Sequence, residues 1–575
     1  MGRRDDCRAA AGTDIAVAVS ERSGWRTAAL ATVIGVGVAL RLYPIHVHYL
    51  NPELQELYTS NAVIETVRGS WGPRAMHHGS ALFDVLRTLF TGWYAVGYLT
   101  GAYADRIDFL ATWLQNSFPF VVAGRVLMVL ISSLGLVLVP RLATRELSPA
   151  AGIAAALLLG VNLIHVRETH NVWLDVPAGI IAVACIATSL RAARTGGRGA
   201  LVLAAMLAAL GIATKHSAVP IVLPVALAAL MGASGVRHAI ARSVMAGSIA
   251  ISTYVVLSPH VFIEFRQFRS LLFGMQLGVT FAEKGLSLPL PTLLELCIGW
   301  PTLALAAVGL VTAAWNDPRR TAILGAFPVA YLLMLAPSPS IFARYLSVLA
   351  PMVAFFGGGG AAMLARRIVP RFALPGAVLI AAVAGAGQAR ESLAQIRLLA
   401  REDTRNQSAE WIKQNVPADT LLLLPNAVWY PNPALPLGPN NLKVSLPDFA
   451  EALAERGVPD PKTTHPLRFH KFFWAVGGDV HRLAPIVVTA THPATMPDLH
   501  AAPELMQALK EARARPVAEF HATEDMRPQG VVYDPLGEYL PLRGAALVRH
   551  LGPNLIIWKV DAARPGRPRQ GASPG

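Results

Sequence analysis

The sequence predicts a polytopic α-helical membrane protein with a small α/β domain at its C-terminal end. Three observations predict it. Of 575 residues, 53% are hydrophobic and only 15% charged, well below the roughly 25% charged residues of soluble domains, and mean hydropathy is +0.44. Apolar runs long enough to cross about 30 Å of hydrocarbon as helices recur through the first two-thirds of the chain. After Ala400 they give way to short apolar runs between polar, proline-marked turns.

About eleven runs have spanning length. They lie at 27–45, 120–140, 149–164, 172–190, 199–214, 217–232, 241–257, 292–314, 321–336, 345–364 and 373–388. A further run, "ALFDVLRTLFTGWYAVGYLT" from Ala81, is amphipathic, with Asp84 and Arg87 one turn apart, and is assigned to the interface. Basic residues concentrate in short cytoplasmic loops. With residues 1–26 as a cytoplasmic tail, the inner loops become "RLATREL", "RAARTGGRG", "GVRHAIAR", "NDPRR" and "ARRIVPRF", all rich in arginine. The first run has no small-residue cleavage site close behind it and reads as a retained anchor. The transmembrane module therefore covers 27–390, with a large first outer loop at 46–119. The expected location is the cell (inner) membrane, multi-pass, with the C-terminal domain extracytoplasmic.

That domain is expected at 391–562. "DTRNQSAEWIKQNVP" reads as an amphipathic helix ending at a proline turn, and "LLLLP", "APIVVTATH", "GVVYD" and "NLIIWKV" as strands. The tail 563–575 has a disordered composition.

The net charge of +14 is spread over loops between spans. It fits positive-inside topology and anionic membrane lipids and gives no reason to expect nucleic acid. Cys7, Cys185 and Cys297 form no metal spacing and no disulfide framework. His46, His48, His77 and His78 fix no ligand set by spacing, so no metal is assigned, although an acidic loop could still hold a divalent cation.

The unusual polar residues gather on the outward side. Glu53 and Glu56 stand in "NPELQELY", His165 and Arg167 in "HVRETHN", Asp175 just behind it, Lys215 in "TKHS", and Arg344 with Tyr345 in "SPSIFARY". Charge near a membrane is costly unless paired or placed in a wet cavity, so convergence on one face is a functional signal. Each has a structural alternative: Glu53 and Glu56 as a solvated helix face, Asp175 as a cap before Pro177, Lys215 as a snorkelling lysine, and Arg344 as an interface anchor.

The order of motifs resembles the GT-C superfamily of membrane glycosyltransferases, in its dolichyl-phosphate-mannose protein mannosyltransferase and aminoarabinose transferase branch. The resemblance rests on "NPELQELYTSNAVIETVRGSW", "GRVLMVLISSLGLVLVPRLA", "GVNLIHVRETHNVWLDVPAG", "GIATKHSAVPIVLP", "RYLSVLAPMVAFFGGGG" and "DTRNQSAEWIKQNVP", in that order. It implies transfer of a sugar from a polyprenyl-phosphate donor to a glycan, lipid or protein acceptor on the outer face, by inverting displacement. The family's first-loop carboxylate falls on Glu53, one methylene longer than the usual aspartate, with Glu56 one turn on as the alternative base. Asp175, in the second acidic motif, is the further catalytic or acceptor-orienting carboxylate that the resemblance implies. Lys215, Arg344, Tyr345, His165 and Arg167 are the expected donor-binding residues, since a departing phosphate needs cations. Two other classes fit parts of the pattern: a non-catalytic polyprenyl-lipid-binding or assembly protein, and a secondary transporter, which would show repeated halves.

Overall fold

In a computed structural model of the chain, the described residues are 24, 26–43, 45–46, 57–69, 79–270, 288–338, 341–417, 420–425, 449–455, 468–472, 485–493, 503–524, 528–534 and 539–560. They divide into two compact units. One comprises Met1–His46, Gln55–Ala95 and Pro119–Leu393; the other comprises Val47–Leu54, Val96–Phe118 and Ala394–Gly575. Val96–Phe118 is thus grouped with the C-terminal residues.

Every regular element among the first unit's described residues is a helix, as a hydrocarbon environment requires, because a helix satisfies its own backbone. Phe118–Glu146, Asp175–Thr195 and Val236–Leu257 are each long and apolar enough to cross a membrane, as is the stretch Pro370–Asn415, whose residues from Ala394 onward belong to the second unit. Two bent pairs qualify jointly: Pro149–Gly160 with Leu163–Thr169, at 58°, and Leu290–Cys297 with Trp300–Asn316, at 97°. Arg198–Thr214 and His216–Met231 are shorter apolar helices. Among the described residues that makes four spans, or six with the bent pairs, against the eleven runs expected. Several runs are broken or begin as a 3-10 turn, as at His216–Ile221 and Ala343–Val348.

The two bends are stitched by distant side chains. Fully buried Arg41 donates to the carbonyls of Leu159 and Gly160 at 3.1 and 3.0 Å. Asn162 caps the next helix by accepting from His165 N at 3.0 Å. Gln388 serves both breaks: its Oε1 accepts from Leu163 N at 3.1 Å, and its Nε2 donates to Leu296 O at 3.0 Å. Gly299, at φ +88°, turns the second bend.

Packing around Ala350–Ile368 depends on its glycine run, since close helix approach in lipid requires small residues. A Cβ on Gly360 would lie 2.1 Å from Leu305 O, and one on Gly309 1.9 Å from Phe356 O. Gly309→Ala should therefore separate the two helices at a cost of about 1–3 kcal/mol, the range for overpacking. Thermal unfolding of the detergent-solubilised chain would read it. Gly247→Ala, where nothing lies within 4 Å, should leave the midpoint in place.

The second unit holds a five-stranded sheet in the order β2-β1-β3-β7-β4. The strands are β1 (Leu421–Pro425), β2 (Arg468–Phe472), β3 (Ile486–Thr491), β4 (Arg515–Phe520) and β7 (Asn554–Lys559), while β5 (Val532–Tyr533) and β6 (Pro541–Arg543) form a separate pair. The β2-β1-β3 part is parallel and the β3-β7-β4 part antiparallel. Alternate side chains serve opposite faces. Leu422, Leu424, Val488 and Ile557 pack with Ala409 and Ile412 of helix Thr404–Asn415. Val487 packs with Leu505 and Leu509 of helix Pro503–Glu511. Asp403 caps the former helix, accepting from Arg405 N at 2.8 Å, and is wholly buried against the Arg405 guanidinium.

Candidate functional site

The site lies in the first unit, where the chain reverses after Leu163–Thr169 and enters helix Asp175–Thr195. Asp175 is the first residue of that helix, whose N-cap position is Leu174. It is 2% exposed and forms an ion pair with Lys215. Lys215 is the residue that closes helix Arg198–Thr214. The Nε of Arg344, from the turn Ala343–Val348, lies 3.9 Å from the other Asp175 oxygen. That turn seats against Gly179, one helical turn beyond Asp175, where a Cβ would meet Val348 O at 2.9 Å. The glycine thus permits the approach that places Arg344 beside Asp175.

Aromatic faces surround the cations. Lys215 Nζ sits 4.1 Å from the Tyr345 ring centre. The Arg344 guanidinium lies 4.4 Å from Trp173, 4.1 Å from Phe342 and 5.8 Å from Tyr345. Tyr58, 2% exposed, meets Trp173 edge-on at 6.0 Å. Burial pushes the Tyr58 phenol well up; Arg344 opposes that shift and Asp175 adds to it. Burial also lowers the Lys215 ammonium, while Asp175 pulls it back up. Glu168 acts on Lys215 in the same direction as Asp175 and lies 3.5 Å from Arg167.

Of the residues expected from the sequence, Asp175, Lys215, Arg344 and Tyr345 therefore meet. The cap and snorkel alternatives for Asp175 and Lys215 give way to a buried ion pair. Arg167 is 3% exposed on the short helix beside Glu168. His165 is drawn into a different knot: its Nδ1 accepts from Arg41 at 2.9 Å, and Ser132 Oγ lies 3.4 Å away. Nearby His170 is pushed down to about 3 by burial and by Arg125 and Arg41. Glu53, Glu56, His48, His77 and His78 lie outside the described residues. Among the described residues, no group of three or more His, Cys, Asp or Glu is placed to hold a metal ion. Sequence reasoning missed Tyr58, Trp173, Phe342 and Glu168. The available signal was aromatic residues set next to charges in "ELY", "VWLD" and "IFARY".

Chemically, this is a partly desolvated pair of cations held by one carboxylate and flanked by ring faces. It can exchange that carboxylate for another oxyanion.

Residues 110–263 match the model of a family described as dolichyl-phosphate-mannose-protein mannosyltransferase. The match includes Arg167, Asp175 and Lys215 and stops short of Glu53 and Arg344 on either side. The resemblance to GT-C glycosyltransferases read from the motifs is thus found independently over this segment. None of the curated proteins matches the chain in sequence. Among solved structures, the chain is similar to ArnT from Cupriavidus metallidurans bound to undecaprenyl phosphate, at 15% identity and TM-score 0.49, covering 93% of this chain and 98% of that one. It is also similar to the Archaeoglobus fulgidus oligosaccharyltransferase tethered with an acceptor peptide, at 12% identity and TM-score 0.44, covering 70% of this chain and 62% of that one. A third is the arabinofuranosyltransferase AftD from mycobacteria, at 15% identity and TM-score 0.37, covering 94% of this chain and 42% of that one.

Proposed function

We propose that this GT-C-like membrane protein is a glycosyltransferase that moves a sugar from a polyprenyl-phosphate donor to a lipid, glycan or protein acceptor on the outer face of the cell membrane. The observation that carries the reading is the convergence of Lys215 and Arg344 on buried Asp175. Two cations at the end of apolar helices suit a phosphate whose polyprenyl chain stays in lipid. In the reaction, an acceptor oxygen or nitrogen attacks the anomeric carbon. The bond from that carbon to the phosphate oxygen breaks, and the electron pair leaves with the phosphate. The acceptor's proton passes to a first-loop carboxylate, Glu53 or Glu56. Lys215 and Arg344 neutralise the phosphate as its charge grows.

A second reading, a non-catalytic polyprenyl-lipid-binding protein, is favoured by the glutamate at 53 where the family usually has aspartate. The two readings separate on one preparation. The purified chain should transfer labelled sugar from polyprenyl-phosphate donors, and cells lacking it should accumulate a lipid-linked sugar. Arg344→Lys should recover only part of the donor affinity lost in Arg344→Ala, because the planar fork is gone. Donor binding without transfer to any acceptor class would favour the binding protein, and unchanged donor affinity in Arg344→Ala would remove the phosphate assignment.

A further inference from the structure

We infer that Trp173 is a positioning residue for Arg344, backed by Tyr58, and that it fixes the guanidinium plane against which a lipid phosphate docks. The inference rests on the phosphate reading above.

A free arginine side chain samples many rotamers, and ordering it opposes binding. Here the guanidinium has ring faces at 4.4 and 4.1 Å, from Trp173 and Phe342. The two rings come from separate segments, "VWLD" and "IFARY". Phe342 belongs to the turn that carries Arg344 and moves with it, whereas Trp173 comes from the segment that leads into Asp175. Trp173 therefore ties the cation to the carboxylate's element. The indole is itself held: it is 6% exposed, its backbone N–H donates to Asn171 O at 2.9 Å, and the Tyr58 ring closes its edge. Guanidinium is weakly hydrated, so a stacked geometry costs it little solvation while restricting its plane. Tryptophan offers the strongest such face.

The test uses the purified full chain in detergent, with undecaprenyl phosphate as the probe and inorganic phosphate as competitor. Trp173→Leu should weaken undecaprenyl phosphate binding between about 2-fold and 30-fold, the span expected for losing a cation–π contact. Trp173→Phe, which keeps a ring face, should recover most of it. In an Arg344→Ala background, Trp173→Leu should add no further loss, since a residue acting through Arg344 has nothing left to position. A purely structural tryptophan would instead weaken binding equally in both backgrounds and lower the unfolding midpoint with it. That result, or parent-like binding by Trp173→Leu, overturns the inference. Should Trp173→Leu fail to fold, Trp173→Phe and Trp173→Tyr compared in both backgrounds carry the same test. If Arg344→Ala itself binds like the parent, the phosphate reading falls, and the inference with it. Inorganic phosphate displacing the probe at equal affinity would show that the site reads the phosphate group and takes nothing from the lipid.

Discussion

Lys215→Ala should lose both stability and donor binding, and a second substitution should separate the two losses. Asp175 is 2% exposed, and its partner Lys215 is 12% exposed at the side chain. Removing one partner of a buried pair strands the other charge, typically at about 3–5 kcal/mol. Arg344 remains 3.9 Å away and should hold the cost near the lower end. Losing charged hydrogen bonds to the donor phosphate should cost about a further 1.5–3 kcal/mol in binding. Adding Asp175→Asn removes the stranded charge. The double variant should then recover most of the unfolding midpoint and little of the donor affinity. If both recover together, Lys215 only keeps Asp175 company. If binding stays intact in Lys215→Ala, the phosphate is held elsewhere.

What the sequence revealed and what it hid follow the range of the interactions involved. Runs such as 120–140 and 241–257 are legible because lipid demands local apolar composition, and helices occupy both. The breaks after Gly160 and at Gly299 leave only weak marks, Asn162 in "IAAALLLGVNLI" and the Gly299 and Pro301 punctuation in "ELCIGWPTLALA", inside runs whose average is apolar. The decisive partner, Gln388, lies 225 residues from Leu163. In the second unit, apolar runs such as "LLLLP" and "IVVTAT" read as strands and sit inside the sheet. The edge strands β2, "RFHKF", and β4, "RPVAEF", were missed, because edges carry charge and proline. At the site, Asp175, Lys215 and Arg344 stood out singly, since charge near lipid is rare. Their pairing joins three segments and leaves no local trace. His165 looked like a ligand residue for want of any sign that Arg41, inside the first apolar run, would claim it.

The first-loop carboxylate carries the other large expected effect. Glu53→Gln keeps the shape and most hydrogen-bonding capacity of the side chain but removes its ability to take a proton. If Glu53 is the base in the proposed transfer, the rate should fall by about 10² to 10⁴, the range for general acid–base catalysis. Donor affinity should survive, since a carboxylate does not hold a phosphate and its charge repels one slightly. Glu53→Asp, the residue usual in the family it resembles, should keep measurable transfer if the acceptor tolerates the shorter reach. Both quantities, labelled-sugar transfer and donor affinity, would be measured on the same purified preparations. Full-rate transfer by Glu53→Gln together with a collapsed Glu56→Gln would move the base three residues along the chain. Full-rate transfer by both would leave the carboxylates as a solvated face and remove the first loop from the chemistry. The cation site at Asp175 would then have to find its base among the buried groups around it, with Glu168, which already acts on Lys215, the next carboxylate to substitute.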